Sequence, residues 1–249
     1  MKKKPRSAGK RASKKLHLED IPATVEVRHH PAAQRMTLRV SRTRRAVILT
    51  LPMKCDLEQA GQFISRHLDW VKARLGTLPS PVPFEDGAEI PLRGTPHAIR
   101  FLGHLQRGPV VSVERTDNRQ HLVVSGDLTH APRRLQDWLI AQARRDFDER
   151  VAWHAANLKL MPRGIAIRDQ VSRWGSCSTT GMLSFSWRLV LAPPLILDYV
   201  AAHEVAHLAE MNHGPRFWAL VRKTMPRMDE ARQWLQVYGM DLHRFGAET

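Results

Sequence analysis

The stretch 201-AAHEVAHLAEMNHGPRFW-218 contains histidines and a glutamate at intervals that suit metal chemistry. On a helix, His203 and His207 are one turn apart, about 40° around the axis and about 6 Å along it, so both imidazoles project to the same side. Two buried neutral imidazoles need partners, and one divalent ion at about 2.0–2.1 Å from each would satisfy both. The spacing therefore predicts a metal site, and the alternative is a helix with incidentally clustered histidines.

A third imidazole, His213, follows the expected end of this helix. Asn212 tolerates a left-handed conformation, and a reversal there would carry His213 back towards His203 and His207. Three histidine ligands with one open position is the ligand set of a catalytic zinc ion, because structural zinc sites are usually closed by four protein ligands. We predict one zinc ion on these three residues.

Glu204 lies about 100° further round the helix than His203. It is too far to the side for a natural fourth ligand, yet near enough to touch a water bound to the metal. Zinc lowers the pKa of such a water towards about 7, and a carboxylate within reach can accept its proton and later donate it to a leaving amine. Glu204 is therefore the predicted catalytic residue.

The helix that must carry this motif is predicted over residues 195–212, after Pro193 and Pro194, which suit a helix start. Its apolar stripe would place the histidines inward, and the stripe consists of Ile196, Val200 and Met211. Gly214 and Pro215 predict the end of this helix and the start of the next. A last helix is predicted near 229–239.

Upstream of the motif, two long segments, 164–178 and 182–192, are predicted as strands joined by 179-TTG-181. A long helix is predicted over 132–159. The earlier part of the chain is rich in short β-like stretches, and the predicted strands are 23–30, 35–40, 45–52, 97–102, 110–115 and 121–126. It also contains an amphipathic helix over 56–75, with Asp56 as its N-cap, and a proline-rich boundary at 79–84.

These elements predict an α+β protein with three regions. Residues 1–18 form a disordered basic tail, 19–130 a β-rich N-terminal region, and 131–249 a metal-dependent catalytic domain. The tail carries eight of the chain's Lys and Arg residues within 1–15, and the whole chain has a formal charge of +15. A block of this kind is usually solvated, and its functional interpretation is a non-specific arm for nucleic acid.

The remaining composition predicts a cytoplasmic protein. No apolar run approaches the roughly eighteen residues that span a bilayer, and the N-terminus lacks the apolar centre of a secretory signal. The two cysteines, Cys55 and Cys177, lie far apart in the sequence and do not suggest a disulfide framework. We expect a reducing compartment and no membrane partner.

The run 198-DYVAAHEVAHLAEMNHGPRFWALV-221, with 173-RWGSCS-178 and 187-WRLVLAPP-194, closely resembles the YgjP-like family of predicted metal-dependent hydrolases. These are zincin-type metallopeptidases, distantly related to the SprT-like and Wss1-like proteases. The resemblance implies a zincin-like C-terminal domain with an active-site helix and a peptide or protein substrate. By position, it implies zinc ligands at His203, His207 and His213 and the catalytic acid at Glu204.

Four further residues are candidates for orienting a ligand or contacting substrate. Glu210 returns to nearly the same helix face as the first histidine, and it is either a partner of an imidazole or solvated. Tyr199 is either an oxyanion donor or a packing residue. Arg173 and Trp174 either border the substrate cleft or belong to a core hairpin. A minor alternative has Cys177 closing the metal site.

The leading hypothesis is a zinc-dependent hydrolase and, more specifically, a metallopeptidase. The alternative is a nucleic-acid-associated protein whose zinc domain is accessory or acts on proteins bound to nucleic acid, and the basic tail motivates it. A third hypothesis is a domain in which the metal has only a structural role.

Overall fold

The computed structural model describes residues 14–41, 45–116, 118–170 and 172–247. Within these ranges the chain forms three mixed sheets and six α-helices, which confirms the predicted α+β class. It divides into two compact units, residues 1–79 and 80–249. Across the described ranges, no helix combines the length and the apolar character needed to cross a membrane.

The first unit contains a four-stranded sheet and two helices. The strands are β1 (Lys14–Leu16), β2 (Val25–His29), β3 (Thr37–Ser41) and β4 (Ala46–Leu51). Their order is β1-β2-β4-β3, with β2 and β4 parallel and the other pairs antiparallel. Alternate residues such as Val25, Val27, Val47 and Leu49 are buried and form the core with the helices.

The predicted helix over 56–75 is two helices, α1 (Leu57–Arg66) and α2 (Leu68–Gly76). Asp56 caps α1 as predicted, in a reciprocal capping box with Gln59. The prediction of one helix is wrong because His67 leaves helical geometry and its N–H turns back to the carbonyls of the preceding turn.

The predicted basic tail over 1–18 overlaps strand β1, so its last part is ordered against β2. Residues 1–13 lie outside the described residues.

The second unit begins with another four-stranded sheet. Its strands are β5 (Glu89–Leu92), β6 (Thr95–Phe101), β7 (Val111–Thr116) and β8 (Arg119–Val124), in the order β5-β6-β8-β7. The predicted hairpin between β7 and β8 is present, with Asn118 at a positive φ of 63°. Strand β5 was not predicted. It joins β6 through Arg93 and Gly94, which both have positive φ, the geometry of a tight hairpin turn.

Helix α3 (Ala131–Leu158) confirms the long predicted helix. Its buried stripe, which includes Leu135, Leu139 and Phe147, shares one core with buried residues of the second sheet such as Ile90 and Leu122. The compact units therefore differ from the predicted regions 19–130 and 131–249. The chain divides near the proline-rich segment instead, because the second sheet buries its apolar face with α3.

The third sheet consists of β9 (Gly164–Arg168), β10 (Gly175–Cys177) and β11 (Met182–Ser186) in the order β10-β11-β9. The prediction of single strands over 164–178 and 182–192 is wrong. Asp169 leaves the sheet to pair with Arg188 at 2.8 Å, which separates β9 from β10. Residues Trp187–Leu191 form a buried 3₁₀ turn rather than a continuation of β11.

Three helices complete this unit: α4 (Pro194–Ala206), α5 (Pro215–Thr224) and α6 (Met228–Tyr238). The predicted stripe of α4 is buried at Ile196 and Val200, but the helix ends six residues earlier than predicted and Met211 is 50% exposed. Asn212 does not adopt the predicted left-handed conformation. The chain instead leaves α4 through tight turns over 207–210.

Candidate metal centre

The last turn of α4 and the segment after it bring three imidazoles together. His203 lies in the helix, His207 caps its C-terminus, and His213 comes back from the connection to α5. Nε2 of His213 lies 3.0 Å from Nε2 of His203. One ring nitrogen from each of the three residues lies within 4.8 Å of the other two. The reversal predicted from the sequence is therefore present, although Asn212 does not produce it.

The second nitrogen of two rings has a protein partner. Nδ1 of His207 lies 3.0 Å from the backbone carbonyl of Glu210, so this nitrogen donates its hydrogen there and leaves Nε2 with a free lone pair. Nδ1 of His203 lies 3.4 Å from the hydroxyl of Tyr199. Tyr199 thus contacts a histidine, and Glu210 contacts one through its main chain.

Two aromatic rings pack against the three imidazoles, of which His213 is exposed. The buried ring of Phe217, from α5, lies 4.8, 4.5 and 4.7 Å from the rings of His203, His207 and His213. Trp218 stacks on His213 at 5.7 Å. Burial, followed by the charges of the other two histidines, lowers the pKa of His203 to about 3, and burial also lowers the pKa of His207. The rings of His203 and His207 are therefore neutral at pH 7, the form that binds metals.

Glu204 is buried beside the histidines, against strand β10. A Cβ atom built on Gly175 would lie 2.6 Å from both Cγ and Oε1 of Glu204, so any larger residue there would require this carboxylate to shift. Burial raises the pKa of Glu204 to about 7, and the nearby charge of the exposed Arg173 partly opposes this effect. A carboxyl group with such a pKa suits proton transfer near neutral pH.

Strand β10 is an edge strand of the third sheet, and it borders the acid. Cys177 lies at its end, where burial and then the charge of Glu204 raise the pKa of the thiol. Its Sγ contacts the carbonyl of Ser178, and it is absent from the histidine cluster, so the structure does not support the minor alternative of Cys177 as a ligand. Trp174 packs on His243 with ring centroids 5.0 Å apart.

The histidine cluster fits a divalent ion such as zinc. Zinc–nitrogen bonds of about 2.0–2.1 Å in a tetrahedral arrangement place ligand nitrogens about 3.3 Å apart, close to the separation observed between His203 and His213. In the described part of the chain this is the one group of three or more His, Cys, Asp or Glu residues that converges in this way.

Sequence reasoning missed two features of this region. The first is Gly175, although an isolated glycine within a strand pattern can signal the close approach of another group. The second is a buried network behind α4, in which His154 contacts Asp198 and Thr224. His154 lies on the buried stripe of α3, and a histidine in such a stripe needs polar partners, but the pattern does not say which.

Comparison with known proteins places the chain in a family. No curated protein sequence matches it. The solved structure of the metallopeptidase zymogen of Pyrococcus abyssi abylysin is 20% identical over 36% of this chain and 92% of that chain, with a TM-score of 0.35. The family described as YgjP-like, metallopeptidase domain, matches residues 34–238, which is most of the chain. By this match, the chain belongs to the YgjP-like metallopeptidase-domain family.

Proposed function

We propose that the protein is a zinc-dependent peptidase in which His203, His207 and His213 hold the ion and Glu204 moves the proton. The observation that carries this proposal is the convergence of three imidazole nitrogens beside a buried carboxyl group whose pKa is raised to about 7. Zinc in such a site supplies a Lewis acid and lowers the pKa of water towards about 7.

The reaction assigned to Glu204 is general base and then general acid catalysis. The carboxylate accepts a proton from the attacking water as the new C–O bond forms at the scissile carbonyl carbon. The same proton then goes to the amide nitrogen as the C–N bond breaks, so the products are an amine and a carboxylic acid, which releases its remaining proton to solvent near neutral pH. Gly175 leaves the space that this carboxylate occupies, and Arg173 favours its charged form.

A peptide substrate is supported by the sheet next to Glu204. One side of β10 pairs with β11, and its other side forms the sheet edge, where an extended chain can add as a further strand. Arg173 and Trp174 immediately precede this strand and are the candidates for substrate contact.

The test compares metal content with hydrolysis of a peptide library. Purified protein should hold about one zinc ion, and Ala substitutions at the three histidines should remove it. Glu204→Gln should keep the ion and lose about 10²–10⁴-fold in kcat/KM. Glu210→Gln is the matched control, because only the backbone carbonyl of Glu210 contacts the site. Full activity in Glu204→Gln, or a wild-type protein that binds no zinc, would contradict the proposal.

A second candidate function is action on proteins bound to nucleic acid. The first 79 residues contain 18 Lys and Arg against 6 Asp and Glu, so they carry +12 of the formal charge of +15. Within the described residues of this unit, the exposed Lys15, Arg28 and Arg39 share one face of the first sheet by strand alternation. A concentration of positive charge of this kind favours a polyanionic partner.

A further inference from the structure

A single buried histidine connects three helices behind the metal centre. His154 of α3 is fully buried. Its Nε2 lies 2.7 Å from Oδ1 of Asp198 on α4, and its Nδ1 lies 2.7 Å from Oγ1 of Thr224, the last residue of α5. Nε of Arg150, one turn earlier on α3, lies 2.5 Å from the same oxygen of Asp198.

The chemistry of this network leaves no ring nitrogen of His154 without a partner. Burial by itself would raise the pKa of Asp198, but the hydrogen bonds from His154 and Arg150 outweigh it and lower the value, so this group is a carboxylate that accepts. Nε2 of His154 therefore donates to Asp198. The remaining nitrogen pairs with the Thr224 hydroxyl. A buried network satisfied in this way favours one arrangement of the elements that it joins.

The same two helices that His154 joins also frame the ligand-bearing segment. His213 lies on the connection between the end of α4 and the start of α5, so the placement of α5 against α4 decides where its imidazole falls. His203 is five residues after Asp198 on α4, and Phe217 is two turns before Thr224 on α5. Phe217 contacts all three ligand rings.

We propose that His154 is a positioning residue for the metal centre. Through Asp198 and Thr224 it fixes α5 against α4, and it thereby holds His213 at the distance from His203 that a shared ion requires. The consequence for metal binding rests on the proposed function. The consequence for the metal-free protein is that residues 208–214 are ordered, and this does not rest on the proposed function.

The experiment removes one hydrogen bond without changing the shape of the side chain. Thr224→Val keeps the β-branch and loses the hydroxyl, whereas Thr224→Ser keeps the hydroxyl. Ile99→Val, a buried truncation in β6 outside these three helices, is the control for a general loss of stability. His154→Gln removes the imidazole that contacts both Asp198 and Thr224.

The first readout is hydrogen exchange of the backbone amides of 208–214 in the metal-free protein. We expect exchange to accelerate at least about fivefold in Thr224→Val and His154→Gln, but not in Ile99→Val. The second readout is zinc affinity, measured by competition with a chromophoric chelator. We expect it to fall about tenfold in Thr224→Val, at the lower end of the range for partners of metal ligands. Thr224→Ser, which keeps the hydroxyl, should show the exchange rates and the zinc affinity of the wild type.

Unchanged exchange over 208–214 in Thr224→Val and His154→Gln, or an equal change in Ile99→Val, would overturn the inference. Unchanged zinc affinity in a Thr224→Val protein whose wild type binds zinc would overturn it as well. A wild type that binds no zinc would remove the proposed function alone, because the exchange measurement still decides whether His154 orders the segment.

Discussion

At Glu204, burial and a missing side chain act on the same carboxyl group. Burial raises its pKa to about 7, which favours proton transfer in either direction near neutral pH. The absence of a Cβ on Gly175 leaves the space that this carboxyl group occupies. The position of the acid thus depends on a residue on another element, 29 positions earlier in the chain.

Substitution of Gly175 by alanine tests this dependence. The new methyl group would displace the Glu204 carboxylate, because its distance to Cγ and Oε1 would be only 2.6 Å. We expect kcat/KM for peptide hydrolysis to fall about 10²-fold or more, the size of a lost general base. Zinc binding should stay unchanged, since the atoms nearest to the new methyl group belong to Glu204 and not to a proposed ligand.

Gly61→Ala is the matched control, because a Cβ there meets nothing within 4 Å. If Gly175→Ala hydrolysed peptides as fast as this control, the glycine would have no part in placing the acid.

At the scale of elements, helix α4 links the buried network of the second unit to the candidate metal centre. One end of the helix carries the histidines, and Asp198 in its middle accepts hydrogen bonds from His154 and Arg150 of α3. These contacts lower the pKa of Asp198 against the opposing effect of burial, so the folded state favours the carboxylate. Such a group stabilises the fold at pH values above its unfolded-state pKa, and the contribution is lost as the pH falls through the lower folded-state value.

The change Asp198→Asn should therefore destabilise the protein in a pH-dependent way. At pH 7 we expect the free energy of unfolding to fall by about 2 kcal/mol, because a partly buried carboxylate loses its charge-assisted hydrogen bonds. The difference from the wild type should begin to shrink as the pH falls below about 4, where the carboxyl group of the unfolded state takes up its proton, and it should vanish below the lower folded-state pKa. Urea denaturation at pH 7 and at several values below pH 4 measures both effects.

Asp148→Asn is the control, since Asp148 pairs with Arg144 on the exposed surface of α3 and should contribute only about 0.3–0.5 kcal/mol. A stability difference for Asp198→Asn that stayed constant down to pH 3 would contradict the assigned role.

The sequence predicted some elements better than others, because some signals lie within the element and others depend on contacts elsewhere in the chain. Helix α3 and the start of α1 were predicted because their signals, an apolar stripe and a capping box, lie within the element itself. The segment 164–178 was predicted wrongly because its interruption depends on the pairing of Asp169 with Arg188, a contact across 19 residues. Helix α4 likewise ends earlier than predicted because the residues after His207 make backbone hydrogen bonds in tight turns. No pattern in the local sequence indicates these turns.

At the scale of the whole molecule, the excess of positive charge and the candidate metal centre belong to different units. The candidate metal centre belongs to residues 80–249, which contain 21 Lys and Arg against 18 Asp and Glu. The first 79 residues carry the large excess of positive charge.

Deletion of residues 1–13 should weaken binding to a generic DNA duplex and reduce its dependence on salt. The deletion removes six basic residues and spares strand β1. Each lost phosphate contact reduces the slope of log affinity against log salt by about 0.9, so the slope should fall by up to about 5. Fluorescence anisotropy between about 50 and 200 mM salt measures it.

A deletion that leaves both the affinity and the slope unchanged would show that residues 1–13 are not a nucleic-acid arm. Peptide hydrolysis by the same variant should be unaffected, which separates binding from catalysis.

The sequence by itself determined the family and indicated the chemistry that we propose for the candidate site. The intervals between His203, Glu204, His207 and His213 follow from helical geometry over a short stretch, and the family follows from motifs in the same part of the chain. Only the tertiary structure decided which groups complete the site, because these come from distant segments: the glycine that makes room for the acid, the phenylalanine that contacts all three rings, and the buried histidine behind α4. A linear pattern contains the spacing within a helix, whereas contacts between helices and strands depend on how their faces pack.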